Sequence, residues 1–583
     1  MEKIKANLTE YTGHWLSYSG FLLMIVLIDQ AIVNKKPLFK LIMTSLMQQG
    51  QVPIVSKMTA MEMFSMHPLA LLGSLICLYL WLVWLSIVWG LAIYGITLLS
   101  QRRFAWSVLL KDMSFWLRPG WEMLVLVNFL WLMPLGQGLF CALRWGHLNY
   151  PALMLDFLTR KIWLLIIAVL LYLVVLTIGF LTLPDLVAMA ADQITLKQAR
   201  QNPNAGWQGL ANALSMLGGV LILSLLGWGL NHLLLLILSG LEIFPGKWVW
   251  KIAIIFRSLM LGGGFWLLAG AVVILVLGQQ SSNKRFKNQP IANFPSWFGK
   301  GIWLMITVLI LMTSAGSLPT VWHQPVAISH RGVTQKDGVQ NTLPAAKKTE
   351  HRHPDYIEID VHETADQKFV VVHDENLQQL TGVNRKPRQL TLQQLQGLAA
   401  DENGHRAHLV SFDQYLEFAQ KHRQKLLVEI KTTPADSPRM LQHFNQRYGR
   451  QLLQNHAWLH SMDLRAVQEL HRLNPKLEVM AIQPYVLGWP SRYVGWNVEY
   501  SMLNPLLIAQ LHFKHQPICV WTVDDPDTMR QAALMGVDGI VTDNLKALDI
   551  ALKDTERHHD YAARLAAQLN VAYNWHNLID GRR

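Results

Sequence analysis

Three short β-type runs between Val326 and Asp374 end in His330-Arg331, in Glu358-x-Asp360 and in His373-Asp374. One segment thus supplies two histidines able to move protons, a carboxylate pair and an arginine. These residue types suit metal-assisted chemistry on a phosphate ester. A phosphodiester is shielded by its own negative oxygens. Its cleavage needs a cation on those oxygens, an activated nucleophile and a proton for the leaving alkoxide. Glu358 and Asp360 are two apart on a strand and point to one face. Glu429, from a later strand, adds a third oxygen, and the set suits a divalent cation, Mg²⁺ or Ca²⁺. Arg331 can grip phosphate in a fork and Lys431 can add a point charge. His330 and His373 then serve as acid and base.

Positioning these groups is the task of alternating strands and helices. Strands are predicted at 326–330, 356–361, 426–431, 458–462, 477–482, 498–503, 518–523 and 539–543. Another, 368–374, returns as a hairpin after the turn at Ala365-Asp366-Gln367. Amphipathic helices are predicted between them, for example over 411–422 and 463–473. Eight strands with intervening helices predict a TIM (β/α)8 barrel over 321–551, whose active site lies at the C-terminal strand ends. His330, Arg331, Glu358, Asp360, Glu429, Lys431, Trp521 and Asp543 all fall at or near such ends.

The first half of the chain is of another kind. Of the 583 residues 51% are hydrophobic and 15% charged, but charge is sparse up to about Ser317 and frequent afterwards. About seven segments are long and apolar enough to span a bilayer, near 16–33, 68–99, 121–141, 162–187, 213–243, 252–278 and 301–317. This predicts a multi-span α-helical membrane domain over 1–320. Lys and Arg in the loops 100–120 and 279–300, together with Lys3 and Lys5, place the N-terminus in the cytoplasm and the second half outside. Lys35, Lys36, Lys40 and Lys57 oppose that orientation. Asn128, Gln137, Asn231, His232 and Arg257 interrupt the apolar runs, as helix–helix hydrogen bonding requires more often than a ligand path does. No cleavable leader is evident, and the first apolar run lacks a small-residue cleavage site.

The net charge of +12 is spread without an aromatic-basic stripe, which argues against nucleic acid. The three cysteines lack metal-ligand spacing, so neither a zinc site nor a disulfide framework is expected. A polar tail over 552–583 carries a terminal helix near 560–569. Its His558-His559 pair fits a solvated helix start better than a metal site.

His330-Arg331-Gly332, Asn341-Thr342, Glu358-x-Asp360-Val361, Thr364-x-Asp366, His373-Asp374, Glu429-x-Lys431, Trp521-Thr522 and Thr542-Asp543 occur in one order. Together they resemble the glycerophosphodiester phosphodiesterases, and the first half resembles the membrane domain fused to such enzymes in some bacteria. The resemblance implies a TIM barrel that uses a divalent metal to split glycerophosphodiesters into sn-glycerol 3-phosphate and an alcohol. It implies His330 and His373 as the acid/base pair, and Glu358, Asp360 and Glu429 as metal ligands. Arg331 and Lys431 become phosphate contacts and Trp521 a wall against glycerol. The resemblance further implies attack by the neighbouring glycerol hydroxyl, giving a cyclic phosphate that water opens.

Departures from the family pattern are Gln340 for glutamate, Gln367 for a turn glycine, Gln379 for arginine, Met462 for phenylalanine and Leu545 for proline. The substrate side is therefore less determined than the metal side. His351, His353 and His362 read as structural or solvated; His362 shares the face of Asp360 and is the one of them most able to join the site. The competing functions are a phospholipase D-like hydrolysis of membrane lysolipids and a non-catalytic lipid-binding or transport protein. The expected partners are a glycerophosphodiester or lipid-derived substrate and the bilayer.

Overall fold

The computed structural model describes residues 2–34, 68–101, 104, 108, 162–192, 194–201, 205–244, 246, 248–279, 296–318, 322–483 and 495–570. The chain divides into two compact units with the boundary at Leu318–Pro319.

In the first unit the long apolar runs are helices: α1 (Glu2–Gly13), α2 (Trp15–Asn34), α3 (Pro68–Ser100), α4 (Ile162–Asp192), α5 (Ala205–Leu241), α6 (Trp248–Gln279) and α7 (Ser296–Ser317). The segment expected near 121–141, with Asn128 and Gln137, lies outside the described residues. Among the described residues two stretches are long and apolar enough to cross a membrane, Val169–Met189 and Trp248–Gly278. The pair α1–α2 would add a third if its 78° bend is one broken span. Aromatic residues tie these helices together. Tyr11 Oη donates to the Trp266 carbonyl at 2.7 Å, and Trp303 Nε1 donates to Ser19 Oγ at 2.9 Å. Arg257 is buried and donates to Ser314 Oγ at 2.9 Å, a helix–helix bond between α6 and α7.

Among the described residues the second unit contains twelve strands: β1 (Val326–Ser329), β2 (Tyr356–Glu363), β3 (Phe369–Val371), β4 (Ala399–Glu402), β5 (His405–His408), β6 (Val410–Ser411), β7 (Lys425–Ile430), β8 (Trp458–Ser461), β9 (Glu478–Gln483), β10 (Gly495–Glu499), β11 (Ile518–Trp521) and β12 (Gly539–Thr542). Strands β1, β2 and β7 to β12 pair in parallel with their neighbours, and β1 pairs with both β2 and β12. The sheet therefore closes into an eight-stranded parallel barrel, as expected. Strand β3 runs antiparallel to β2, with Val361 opposite Val371, so the predicted hairpin return is present. One strand was expected in the wrong place. The sixth barrel strand is 495–499, not 498–503, because Tyr500–Met502 forms a 3-10 turn.

Alternation sorts the side chains. Ile357, Ile359 and Val361 of β2 and Leu426, Val428 and Ile430 of β7 face the helix layer. Tyr356, Leu427, Met480, Cys519, Val541 and Ile328 form a separate buried cluster inside the barrel, with Tyr356 stacked on Trp458 at 4.4 Å. Every second position above that apolar floor carries the polar residues of the site. The surrounding helices have sequence-encoded ends. Ser411 caps Phe412–Lys421 in a capping box with Gln414, and Gly536 closes Pro526–Met535 at φ 90°. The helix Tyr561–Asn570 packs against the barrel layer, with Ala567 in its core and the Ala567 carbonyl accepting from Gln531 at 3.0 Å.

Phe444 sits at the centre of an aromatic cluster, 5.2 Å from Phe369, 5.6 Å from Phe412 and 5.3 Å from Tyr448. Emptying that position leaves a cavity between β3 and two helices. Phe444→Ala should destabilise the barrel by about 3–5 kcal/mol, read from denaturant unfolding of the purified chain. An unchanged transition would contradict this packing.

Candidate active site

The polar residues at the C-terminal mouth form one linked group. Glu358 and Asp360 rise from β2 and Glu429 from β7, with Asp360 in register with Glu429. All three are at most 7% exposed. Lys431, just past β7, places Nζ 3.0 Å from Asp360 Oδ1 and 2.8 Å from Glu429 Oε1. Burial would push the Lys431 ammonium down, but these two carboxylates outweigh it and raise its pKa. Burial alone would raise Asp360. Lys431, His373 and Arg331 nearby, with a hydrogen bond from Asn341, hold it well below the carboxylate range instead.

The His-Arg-Gly turn follows β1. Arg331 takes φ 53°, which turns its backbone N–H onto Glu358 Oε2 at 2.8 Å. Gly332 has φ 65°, and a Cβ there would lie 2.6 Å from Tyr415 Oη, so only glycine fits. Arg331 Nη1 donates to Gln340 Oε1 at 2.7 Å. Gln340 in turn donates from its backbone and its side chain to Glu402 of the β4–β5 hairpin, at 2.8 and 2.7 Å. Asn341 donates to Asp360 Oδ2 at 2.9 Å and accepts from the Asp360 backbone at 3.1 Å.

Each candidate acid/base histidine has its Nδ1 against a carboxylate. His330 Nδ1 is 2.9 Å from Asp543 Oδ1, and His373 Nδ1 is 2.9 Å from Asp374 Oδ1. That leaves both Nε2 atoms available for proton transfer. Burial tends to lower the pKa of His330, but the Asp543 hydrogen bond and Glu358 outweigh it and the net shift is upward. Asp543 is itself held by Asp524, which accepts from its backbone N–H at 2.7 Å. His362 has no carboxylate hydrogen-bond partner among the described residues. It is buried, burial pushes its pKa down to about 4, and its ring Nε2 donates to the His373 carbonyl at 3.3 Å. Trp521 is part-buried at the end of β11 and donates to the Asn497 carbonyl at 3.2 Å.

Two residues of the interior were not singled out from the sequence. His460 on β8 is 3% exposed and stands beside Glu429 in register. Glu358, Glu429 and His460 each offer one atom within 4.8 Å of the others, a donor set that fits a divalent cation. Asn497 on β10 meets His460 Nδ1 at 3.1 Å. The signal was a polar residue at an inward position of the fourth and sixth barrel strands; the misplaced sixth strand hid Asn497. His351 and His353 are exposed, as expected. His559 stacks on Trp322 at 4.7 Å.

The family model described as the glycerophosphoryl diester phosphodiesterase family matches residues 330–547. YhdW of Bacillus subtilis (strain 168), which is named for that activity, is 30% identical over 230 residues, 37% of this chain and 93% of the relative. The chain belongs to the glycerophosphodiester phosphodiesterase family. It is accordingly an enzyme of the phosphoric diester hydrolase class. A glycerophosphodiester phosphodiesterase of Bacillus altitudinis is 22% identical over 228 residues, again 37% of this chain and 93% of the relative. Similar solved structures include a glycerophosphodiester phosphodiesterase from Parabacteroides distasonis ATCC 8503, at 27% identity and TM-score 0.36 over 40% of this chain and 100% of that one. Another is an Oleispira antarctica phosphodiesterase in complex with the product sn-glycerol-3-phosphate, at 16% identity and TM-score 0.36 over 40% and 97%. The phosphodiesterase family match begins at His330 and ends just past Asp543, the histidine–carboxylate pair that spans the barrel seam.

Asp543→Asn removes the carboxylate that lifts His330. The inflection owed to His330 in the pH profile of kcat/KM should move to lower pH, since a neutral amide no longer favours the protonated ring. An inflection at the wild-type position would show that Asp543 does not set it.

Proposed function

We propose that this chain is a membrane-anchored, metal-dependent glycerophosphodiester phosphodiesterase that releases sn-glycerol 3-phosphate and an alcohol. The observation that carries the reading is the pair of histidines, each tethered at Nδ1 by a carboxylate, beside a buried set of three carboxylates, a lysine and an arginine. Glu358, Asp360 and Glu429 would hold the cation, Mg²⁺ or Ca²⁺. When bound, such an ion supplies a positive charge against the phosphate oxygens. Arg331 and Lys431 neutralise the remaining phosphate charge, with the Arg331 fork fixed by Gln340. Trp521 gives the glycerol an apolar wall. One histidine takes the proton of the attacking hydroxyl at Nε2, and the other returns a proton to the leaving alkoxide. Their carboxylate partners hold each ring in place while the imidazolium forms.

The first unit, over 1–320, acts as a polytopic anchor, with 321–551 as the catalytic barrel; within the tail over 552–583 the helix Tyr561–Asn570 packs back on that barrel. Several helices expose large apolar side chains, such as Leu171 at 61%, Leu236 at 70% and Leu304 at 68%. Water would penalise that surface, and a bilayer would not. The charge distribution of the loops supports a barrel outside the cell, where deacylated phospholipids or polymeric glycerophosphates are available substrates.

Turnover of glycerophosphocholine should disappear after complete metal removal and return on adding a divalent cation. His330→Ala and His373→Ala should each lose about 10²–10⁴-fold in kcat. Full activity in the chelated protein would sink the metal assignment, and wild-type rates in both variants would discard the acid/base roles. Preference for lysophosphatidylcholine over glycerophosphocholine would instead favour lysolipid hydrolysis. Protease added outside intact cells should cleave the barrel; protection there with cleavage in inverted vesicles would reverse the topology.

A further inference from the structure

The barrel interior holds a histidine that neither the phosphate contacts nor the acid/base pair uses. His460 is 3% exposed, and its Nε2 has no hydrogen-bond partner among the described residues. That atom lies 3.6 Å from Glu358 Oε1, and His460 offers a ring nitrogen within 4.8 Å of ligand atoms of Glu358 and Glu429. The other ring nitrogen faces the Asn497 carboxamide at 3.1 Å, and Asn497 Oδ1 is buried without a partner among the described residues. The two ends of a carboxamide have the same shape and can be exchanged. With Oδ1 toward the ring, Nδ1–H donates to Asn497. The Nε2 lone pair is then free and directed at the two glutamates. A metal-bound histidine is held in this way, its second nitrogen fixed by an oxygen acceptor.

We propose that His460 is a nitrogen ligand of the divalent cation held by Glu358 and Glu429, and that Asn497 fixes its tautomer. The inference rests on the metal site proposed above and changes its chemistry. An oxygen-only set suits Mg²⁺ or Ca²⁺, whereas one imidazole shifts preference toward first-row transition ions. The placement follows from the barrel. Glu358, His460 and Asn497 stand on the second, fourth and sixth barrel strands, and alternate strands contribute the side chains of one interior layer. In the opposite tautomer Nε2–H would point at Glu358, and His460 would never touch the ion.

The test is metal binding rather than turnover. The full chain is stripped by chelation and reloaded with Mn²⁺ alone, and electron spin-echo modulation reads any directly bound imidazole ¹⁴N. The wild type should show one such coupling. His460→Gln should abolish it and weaken Mn²⁺ binding by at least about ten-fold in calorimetry. Asn497→Leu should cost about 10–100-fold, the usual effect of losing such a partner. Melting of the metal-free variants checks that they fold, and the wild-type spectrum decides the point even if one does not. Mn²⁺ bound by the wild type without a nitrogen coupling overturns the proposal, as does unchanged affinity in a folded His460→Gln. Glu358→Gln and Glu429→Gln separate the two levels. If both lose Mn²⁺ while the wild type shows no nitrogen coupling, the metal site stands and only the His460 role falls. If both bind as the wild type does, or the wild type binds none, the site and the His460 role fall together.

Discussion

Lys431 between Asp360 and Glu429 is the contact on which the site depends. A buried carboxylate is tolerated only when paired and hydrogen-bonded, and Glu358, Asp360 and Glu429 stand together here. Lys431 answers two of them at 3.0 and 2.8 Å, and the Arg331 backbone N–H answers the third. Three carboxylates against Lys431 and Arg331 leave one negative charge in excess. A divalent cation would invert that excess to one positive charge, the sign that attracts a phosphodiester monoanion. In the metal-dependent reading proposed above, the same residues would favour first a cation and then an anion.

Barrel closure creates the other half of the chemistry. His330 ends the first barrel strand and Asp543 follows the last, so they meet only because β1 pairs with β12. Asp524, after β11, then holds Asp543 through its backbone N–H. His373 arrives by a different route, on the β2–β3 return, and its carbonyl is held by His362. The two histidines are therefore supported by separate elements. In the reaction proposed above, that separation would let one face the nucleophile and the other the leaving group without sharing a partner.

Much of this was legible because alternation has a period of two. Glu358 and Asp360, then Glu429 and Lys431, repeat at that spacing on strands whose opposite face carries Ile, Val and Leu. One face of each strand must then be polar and the other packed. Eight such runs, with helices between them, left the barrel as the natural closure. The reasoning failed where periodicity was weak. The sixth strand, Gly495–Glu499, begins with a glycine and runs into a 3-10 turn, so the apolar residues around 502–503 drew the expected strand forward. That shift removed Asn497 from any strand. His460 was passed over for a different reason: a single histidine in a buried run signals nothing until its neighbours across the barrel are known.

Gln340 shows how a departure from the family pattern can be absorbed. A glutamate there could pair with Arg331 directly. The glutamine accepts from Arg331 through Oε1 and donates to Glu402 through Nε2, so its amide is oriented by both partners. The negative charge has not vanished; it stands one side chain farther from the guanidinium, on the β4–β5 hairpin. Arg331 keeps its bond to Gln340 and its ion pair with Asp360 at 3.8 Å, without the second pair that a glutamate at position 340 would add. A less neutralised arginine holds an anionic ligand more strongly, and the hairpin that carries Glu402 becomes part of what sets that charge.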